Sequence, residues 1–232
     1  MYHNIGADKY SNDVGIFKKH LHYISKNFNI VVPDEPLSGK DICLTFDDGF
    51  YNFYHYVFPL LQEFDIKVLL AVPTMYILDD TTRSAHQRLS IKHDDTYNNI
   101  DKAPFCTFKE LKQMHDSGLV KIASHAHSHV DLTQCEDLDK ELAYSKELLE
   151  TKLHTTIDTL VFPYGKYDAH VLKHAKKQYR YLFRIGNGIN KDFQGIKDVI
   201  YRINADGLKD EKEIFSKTNI FKYSLKSFIK SR

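Results

Sequence analysis

Apolar residues recur along the chain in two alternating rhythms. Phe17, Leu21, Ile24 and Phe28 step by four, three and four, the repeat of one helical face. The run DICLTF (41–46) follows, nearly continuous in apolar character, as expected of a strand buried on both faces of a parallel sheet. A helix-like stretch from about Asn52 to Phe64, interrupted at Pro59, leads to a second buried run, IKVLLAV (66–72). Thr107 with Glu110 forms a capping box, and Gly118 ends that helix before the strand LVKIAS (119–124). Residues 136–153 carry Leu138, Leu142, Leu149 and Leu153 at helical spacing, and IDTLVF (157–162) is a strand again. A helix near 168–179, the strands RYLFRI (180–185) and DVIYRI (198–203) and a C-terminal helix complete the order.

Strand followed by helix, repeated, predicts an α/β fold with a parallel sheet, open or closed into a barrel. Residues 76–106 are polar and without a clear period, and are read as a long loop insertion over the site. With 232 residues, 42% of them hydrophobic, one domain over 1–232 is expected. A formal charge of +1 gives no global field for nucleic acid, so no nucleic-acid partner is expected. Cys43, Cys106 and Cys135 are odd in number and unpaired in spacing, which points to a reducing compartment. No leader pattern opens the chain as given and no run of about 18 apolar residues occurs, so a cytoplasmic location is expected.

In parallel α/β folds ligands bind at the carboxyl ends of strands. Three polar clusters fall there: Asp47-Asp48-Gly49 after DICLTF, SHAHSHVDL (124–132) after LVKIAS, and FPYGKYD (162–168) after IDTLVF. Thirteen histidines would give on the order of one i,i+4 pair by chance, and there are two. His170 with His174 lies in a Lys-rich helix face, the setting of a solvated pair, whereas His125 with His129 shares an edge with the aspartates. Two imidazoles and a carboxylate leave coordination positions open for water, as catalytic divalent-metal sites do. A cation there would offset one of two adjacent carboxylates and leave the other ionised beside it as a base.

Thr45-Phe46-Asp47-Asp48-Gly49, His125-x-x-x-His129 with Leu132, and Phe162-Pro163-Tyr164-Gly165 resemble the motifs of the polysaccharide deacetylase family, in order and separation. The resemblance implies a distorted (β/α) barrel, one divalent ion, and hydrolysis of an N-acetyl group from an amino sugar. Zinc is the first choice of metal, with cobalt or nickel as functional substitutes. By motif position it makes Asp47 the general base and Asp48, His125 and His129 the metal ligands. Tyr164, through its N–H, becomes an oxyanion donor on the turn that Pro163 opens, and both are taken as substrate-side residues. An amide needs these parts: activated water, a stabilised oxyanion and a proton for the departing amine.

Three departures matter. Ala126 stands where Ser or Thr is usual, which removes a loop hydrogen bond but no ligand. Val161 stands where many members carry an arginine that orients the base, leaving Arg184 or Arg202, beside late strands, as substitutes. The C-terminal Leu-x-His motif is absent, since the last histidine is His174. A permuted branch of the family, similar to the poly-N-acetylglucosamine deacetylases, begins instead with Tyr-His, and this chain opens Met1-Tyr2-His3, which makes His3 the general acid. Two alternatives stay open: a metal-dependent amidohydrolase for a non-sugar amide, and a noncatalytic glycan-binding domain with a relic site. From Phe215 onward five basic residues and no acidic one accompany an amphipathic pattern. The favoured reading packs its apolar side on the barrel; the other lays it on an anionic membrane surface.

Overall fold

The computed structural model describes residues 1–6 and 8–232. Two short parallel pairs, β1 (Asn4–Ile5) with β2 (Ser11–Asn12) and β3 (Asn29–Ile30) with β4 (Asp41–Ile42), flank helix α1 (Val14–Asn27). The main sheet has six parallel strands in sequence order: β5 (Thr45–Phe46), β6 (Val68–Val72), β7 (Val120–Ser124), β8 (Thr159–Val161), β9 (Tyr181–Ile185) and β10 (Ile200–Arg202). Helices α2 (Phe58–Phe64), α4 (Phe108–Asp116), α5 (Ser145–Leu153) and α6 (Ala169–Gln178) lie between successive strands, and α3 (Ala85–Leu89) belongs to the 76–106 segment.

The two free edges of this curled sheet are bridged by the first residues of the chain. The Tyr2 N–H donates to Thr45 O and the Asp47 N–H to Tyr2 O on one side. On the other, the Met1 nitrogen donates to Ile203 O at 2.7 Å and the Ala205 N–H to Met1 O. Met1–Tyr2 thus bridges β5 to the segment that follows β10, closing the gap between the two edges at that level.

Side-chain alternation divides the sheet into two faces. Val68, Leu70, Val72, Ile122 and Leu160 join Phe17, Leu61, Leu111, Leu149 and Val171 of the helices in the larger core. Leu69, Ala71, Ala123, Val161, Tyr181, Phe183 and Ile200 form a separate, enclosed cluster. That inner face also carries Asp47, His125 and Arg202 by the same two-residue period, which is how three polar groups reach the barrel's carboxyl end.

Several elements differ from the periodic reading. DICLTF breaks into β4 and β5 because Asp41–Ile42 leaves the main sheet to pair with Asn29–Ile30. The stretch after Asn52 begins as a π-helix (Phe53–Val57), and Pro59 sits in the first turn of α2, where its missing N–H costs nothing. The 136–153 stretch also opens with a π-helical turn, Lys140–Tyr144. Residues 76–106 combine irregular chain with α3 and 3-10 turns at His93–Asn98 and Ile100–Lys102, held by Arg88, which is 4% exposed and bonds Glu110 twice and the carbonyls of Ala103 and Phe105. The largest correction concerns α7 (Lys217–Ser231): the favoured packing of its apolar side on the barrel does not occur, and none of its residues is buried.

Candidate active site

Asp47 and Asp48 leave the end of β5 in opposite directions because the chain turns sharply there. Asp48 and Gly49 both have left-handed backbone, with φ of 70° and 65°. A Cβ on Gly49 would meet Val72 Cγ1 at 2.5 Å, so the third residue of the Asp-Asp-Gly motif has no side-chain room. Ala126, His129 and Tyr164 are also left-handed, at φ of 63°, 54° and 57°. Each such non-glycine residue costs about 1–2 kcal/mol, and four of them at one site show that loop packing holds it.

Asp47 is 4% exposed and lies in a fork: Arg202 Nη1 donates to Oδ1 at 2.6 Å and Nη2 to Oδ2 at 2.8 Å. Nη1 also donates to Thr45 Oγ1 at 3.2 Å. Burial would raise the Asp47 pKa, but Arg202, with His125 and His3, outweighs it and holds the carboxyl well below the usual carboxylate range. His3 stands beside this pair. Its Nδ1 meets Asp206 Oδ2 at 2.7 Å, its own N–H donates to Asp206 Oδ1, and its Nε2 is 4.0 Å from Asp47 Oδ2. Burial pulls the imidazole down, and the Asp206 hydrogen bond together with the Asp47 and Asp48 charges pushes it up to about 9. His3 is therefore protonated at neutral pH.

Asp48 faces the other way, toward two imidazoles. Its Oδ1 lies 3.3 Å from His129 Nε2 and 3.6 Å from His125 Nε2. The His125 Nδ1 is 2.7 Å from the Val161 carbonyl, which can only accept, so the ring's proton is on Nδ1 and the Nε2 lone pair points at Asp48. Burial, the leading cause in both, lowers His125 and His129 to about 4, so both are neutral at pH 7. Burial, with Asp47 adding to it, raises Asp48 despite the opposing histidines. A carboxylate oxygen facing an imidazole lone pair is an acceptor facing an acceptor, and a cation between them removes the conflict. The three donor atoms lie within 4.8 Å of one another, which fits a divalent ion.

The loop carrying the two histidines is fastened from behind. Buried Glu141 accepts the N–H groups of His127 and Ser128 at 3.0 and 2.8 Å and the Ser128 hydroxyl at 2.5 Å. Ser145 Oγ donates to Ala126 O at 3.1 Å. Glu141 thus secures the loop even though Ala126 offers no hydroxyl, and nothing local in the sequence marks it beyond being one acidic residue of a helix.

His3, Asp47, Asp48, His125, His129 and Arg202 face one cavity of about 370 Å³, lined also by Tyr10, His93, Tyr97, Phe162, Tyr164, Gly165 and Ile185. Tyr97 was not singled out by the sequence, yet its hydroxyl donates to Asp48 Oδ1 at 3.1 Å and its ring stacks on His129 at 5.4 Å. Tyr97 and His93 come from the 76–106 segment, which accordingly forms a wall of the cavity. Tyr164 is 61% exposed at the mouth, its ring 4.8 Å from His129. Pro163, read as a substrate-side residue, is buried and does not line the cavity; it starts the turn. Of the two arginines, Arg202 reaches Asp47, whereas Arg184 does not reach the site. Its Nε donates to Ile185 O and its guanidinium lies over the rings of Tyr167 and Tyr201. Strand alternation is the physical reason: Phe183 and Ile200 point inward with Arg202, and Arg184 points out.

A family model described as polysaccharide deacetylase matches residues 34–182. The chain belongs to the polysaccharide deacetylase family. The Bacillus subtilis protein YxkH, which carries the same family's name, is 24% identical over 193 residues, covering 76% of this chain and 60% of that protein. The poly-beta-1,6-N-acetyl-D-glucosamine N-deacetylase of Escherichia coli K12 is 26% identical over 185 residues, 67% of this chain and 26% of that protein. The chain therefore spans less than two thirds of the length of these curated relatives. Among solved structures, the Bacillus anthracis deacetylase-family protein BA0330 superposes with a TM-score of 0.75 at 20% identity, over 96% of this chain and 67% of that one, a likeness of fold.

Proposed function

We propose that this deacetylase-family chain is a metal-dependent hydrolase that removes N-acetyl groups from an amino sugar in a glycan or glycan precursor. The observation that carries the reading is the confrontation of Asp48 Oδ1 with two neutral imidazoles beside an independently charge-matched Asp47–Arg202 pair. Asp48, His125 and His129 would hold one divalent ion, zinc first, which supplies Lewis acidity toward water and toward the acetyl carbonyl.

The remaining work falls to this chain's own groups. Ionised Asp47 accepts the proton of the attacking water, and Arg202 fixes the carboxylate plane and keeps it ionised. His3, protonated through its contact with Asp206, presents Nε2–H to the cavity and donates to the departing nitrogen. The Tyr164 N–H, on the turn beside His129, donates to the oxyanion as the carbonyl becomes tetrahedral. Tyr97 holds the Asp48 oxygen from the wall. The retained Asp47 speaks against a relic binding site, because carbohydrate binding alone would not need a base in an arginine fork.

Acetate release from N-acetylglucosamine oligomers, measured before and after chelation and after zinc is returned, tests the reading. Release that stops on chelation and recovers with zinc is expected. Undiminished release without metal, or turnover of small non-sugar amides only, would overturn it.

A further inference from the structure

Helix α7 presents its polar side to the barrel and its apolar side to solvent. Toward the barrel, Ser227 Oγ accepts the Ile189 N–H at 2.6 Å and Lys230 Nζ lies 5.0 Å over the Tyr201 ring. Outward, Phe221, Leu225, Phe228 and Ile229 are 70%, 50%, 54% and 62% exposed. Their spacing of four, three and one makes a single stripe, about half a helical turn away from Tyr223 and Ser227. An ordinary surface helix has the reverse arrangement, because aromatic and aliphatic side chains gain by leaving water. Ile220 and the exposed Ile189 and Leu37 border a second cavity of about 320 Å³ on the barrel's flank.

Charge decides what covers the stripe. Lys217, Lys222, Lys226, Lys230 and Arg232 occur with no carboxylate from Ile214 onward. By helical spacing Lys222 and Lys226 border the stripe beside Ile229, and Lys217 borders it beside Phe228. A second copy packed on the stripe would bring Lys217, Lys222 and Lys226 against the same three lysines. An anionic bilayer supplies both an apolar layer and the opposite charge. The helix has 15 residues, short of the roughly 20 that cross a bilayer, and no helix among the described residues is long and apolar enough to cross one. We propose that α7 lies along an anionic lipid surface, with Phe221, Leu225, Phe228 and Ile229 in the headgroup boundary and the lysines against lipid phosphates. This inference is independent of the deacetylase reading, since its test needs no turnover.

The test is sedimentation of the whole chain with vesicles containing phosphatidylglycerol, against pure phosphatidylcholine vesicles, at low and high salt. Binding confined to the anionic vesicles and weakened by salt is expected. Each basic residue at the surface contributes about fivefold, so Lys222→Glu with Lys226→Glu should weaken partition by more than tenfold. Phe221→Ser with Phe228→Ser, both outward-facing and so compatible with folding, should do the same, with an unchanged melting temperature as control. Absence of binding to anionic vesicles, or binding indifferent to both double variants, would overturn the proposal. So would a dimer in solution that the Phe221/Phe228 variant dissolves, since a second copy would then cover the stripe.

Discussion

The two ends of the barrel interior each hold a cluster of charged side chains, and only one of them is complete. At the amino end Lys121 Nζ donates to Asp34 Oδ2 at 2.8 Å, to Asp158 Oδ2 at 2.9 Å and to Pro33 O at 3.0 Å. Asp34 Oδ1 accepts from Arg180 and from the Tyr181 hydroxyl, both at 2.8 Å. Two carboxylates meet two cations and a phenol, so this end is a plug whose charges cancel. At the carboxyl end Arg202 matches Asp47 alone, while Asp48 meets two neutral imidazoles and the Tyr97 hydroxyl. The sheet thus carries a closed ion-pair cluster at one end and, at the other, a donor set short of one positive charge. A cluster of charges at a barrel end is therefore no sign of function by itself; the deficit is what distinguishes the site.

The comparison breaks most visibly if the carboxyl end can lose a donor without consequence. His125→Ala should remove bound metal and lower acetate release by about 10³-fold or more, because the Lewis acid and its water are lost together. Metal content by elemental analysis and a turnover assay on the same sample check this. Asp47→Asn should lower turnover by about 10²- to 10⁴-fold, the usual worth of a general base, with protein that still binds metal.

His3→Ala should lower turnover by a similar or smaller factor, about 10²-fold, and leave metal in place. Its titration sharpens the point. In metal-free protein the His3 imidazole should titrate by NMR near 9, above the ordinary 6.5. A folded-state pKa raised in this way stabilises the fold fully below the unfolded value and loses that contribution as pH rises through about 9. Asp206→Asn should move the His3 titration downward and flatten stability over that window. A His3 titrating at its ordinary value would remove it as the proton donor.

The smallest effect belongs to the amino end. Lys121→Met should cost about 1–2 kcal/mol of stability, since the pair is only partly buried, and should leave metal content and turnover per folded molecule unchanged. Chemical denaturation and the acetate assay separate the two readouts. Loss of metal in this variant would erase the distinction between the ends.

How far the sequence reveals this depends on how local each feature is. The strands, the helices and the positions of Asp47, Asp48, His125 and His129 follow from short-range pattern and motif, and the structure brings those four together with His3. Arg202 was legible only as one of two arginines, although strand alternation, with Phe183 and Ile200 inward, separates it from Arg184. Tyr97 and Glu141 had no local signature: each acts through a contact with a loop distant in sequence, and the 76–106 segment that carries Tyr97 lacks the period that would reveal its turns. For α7 the sequence left two readings open, with packing on the barrel favoured, because a helical period locates an apolar face without saying whether anything covers it.

Asp48, and not its neighbour Asp47, faces the missing positive charge. The direct measurement is zinc titration by calorimetry on the whole chain and on Asp48→Asn and Asp47→Asn, each first stripped of metal. One ion per chain is expected for the parent and for Asp47→Asn, with binding lost or weakened by more than about tenfold in Asp48→Asn. Equal loss in both variants, or full binding in Asp48→Asn, would contradict it.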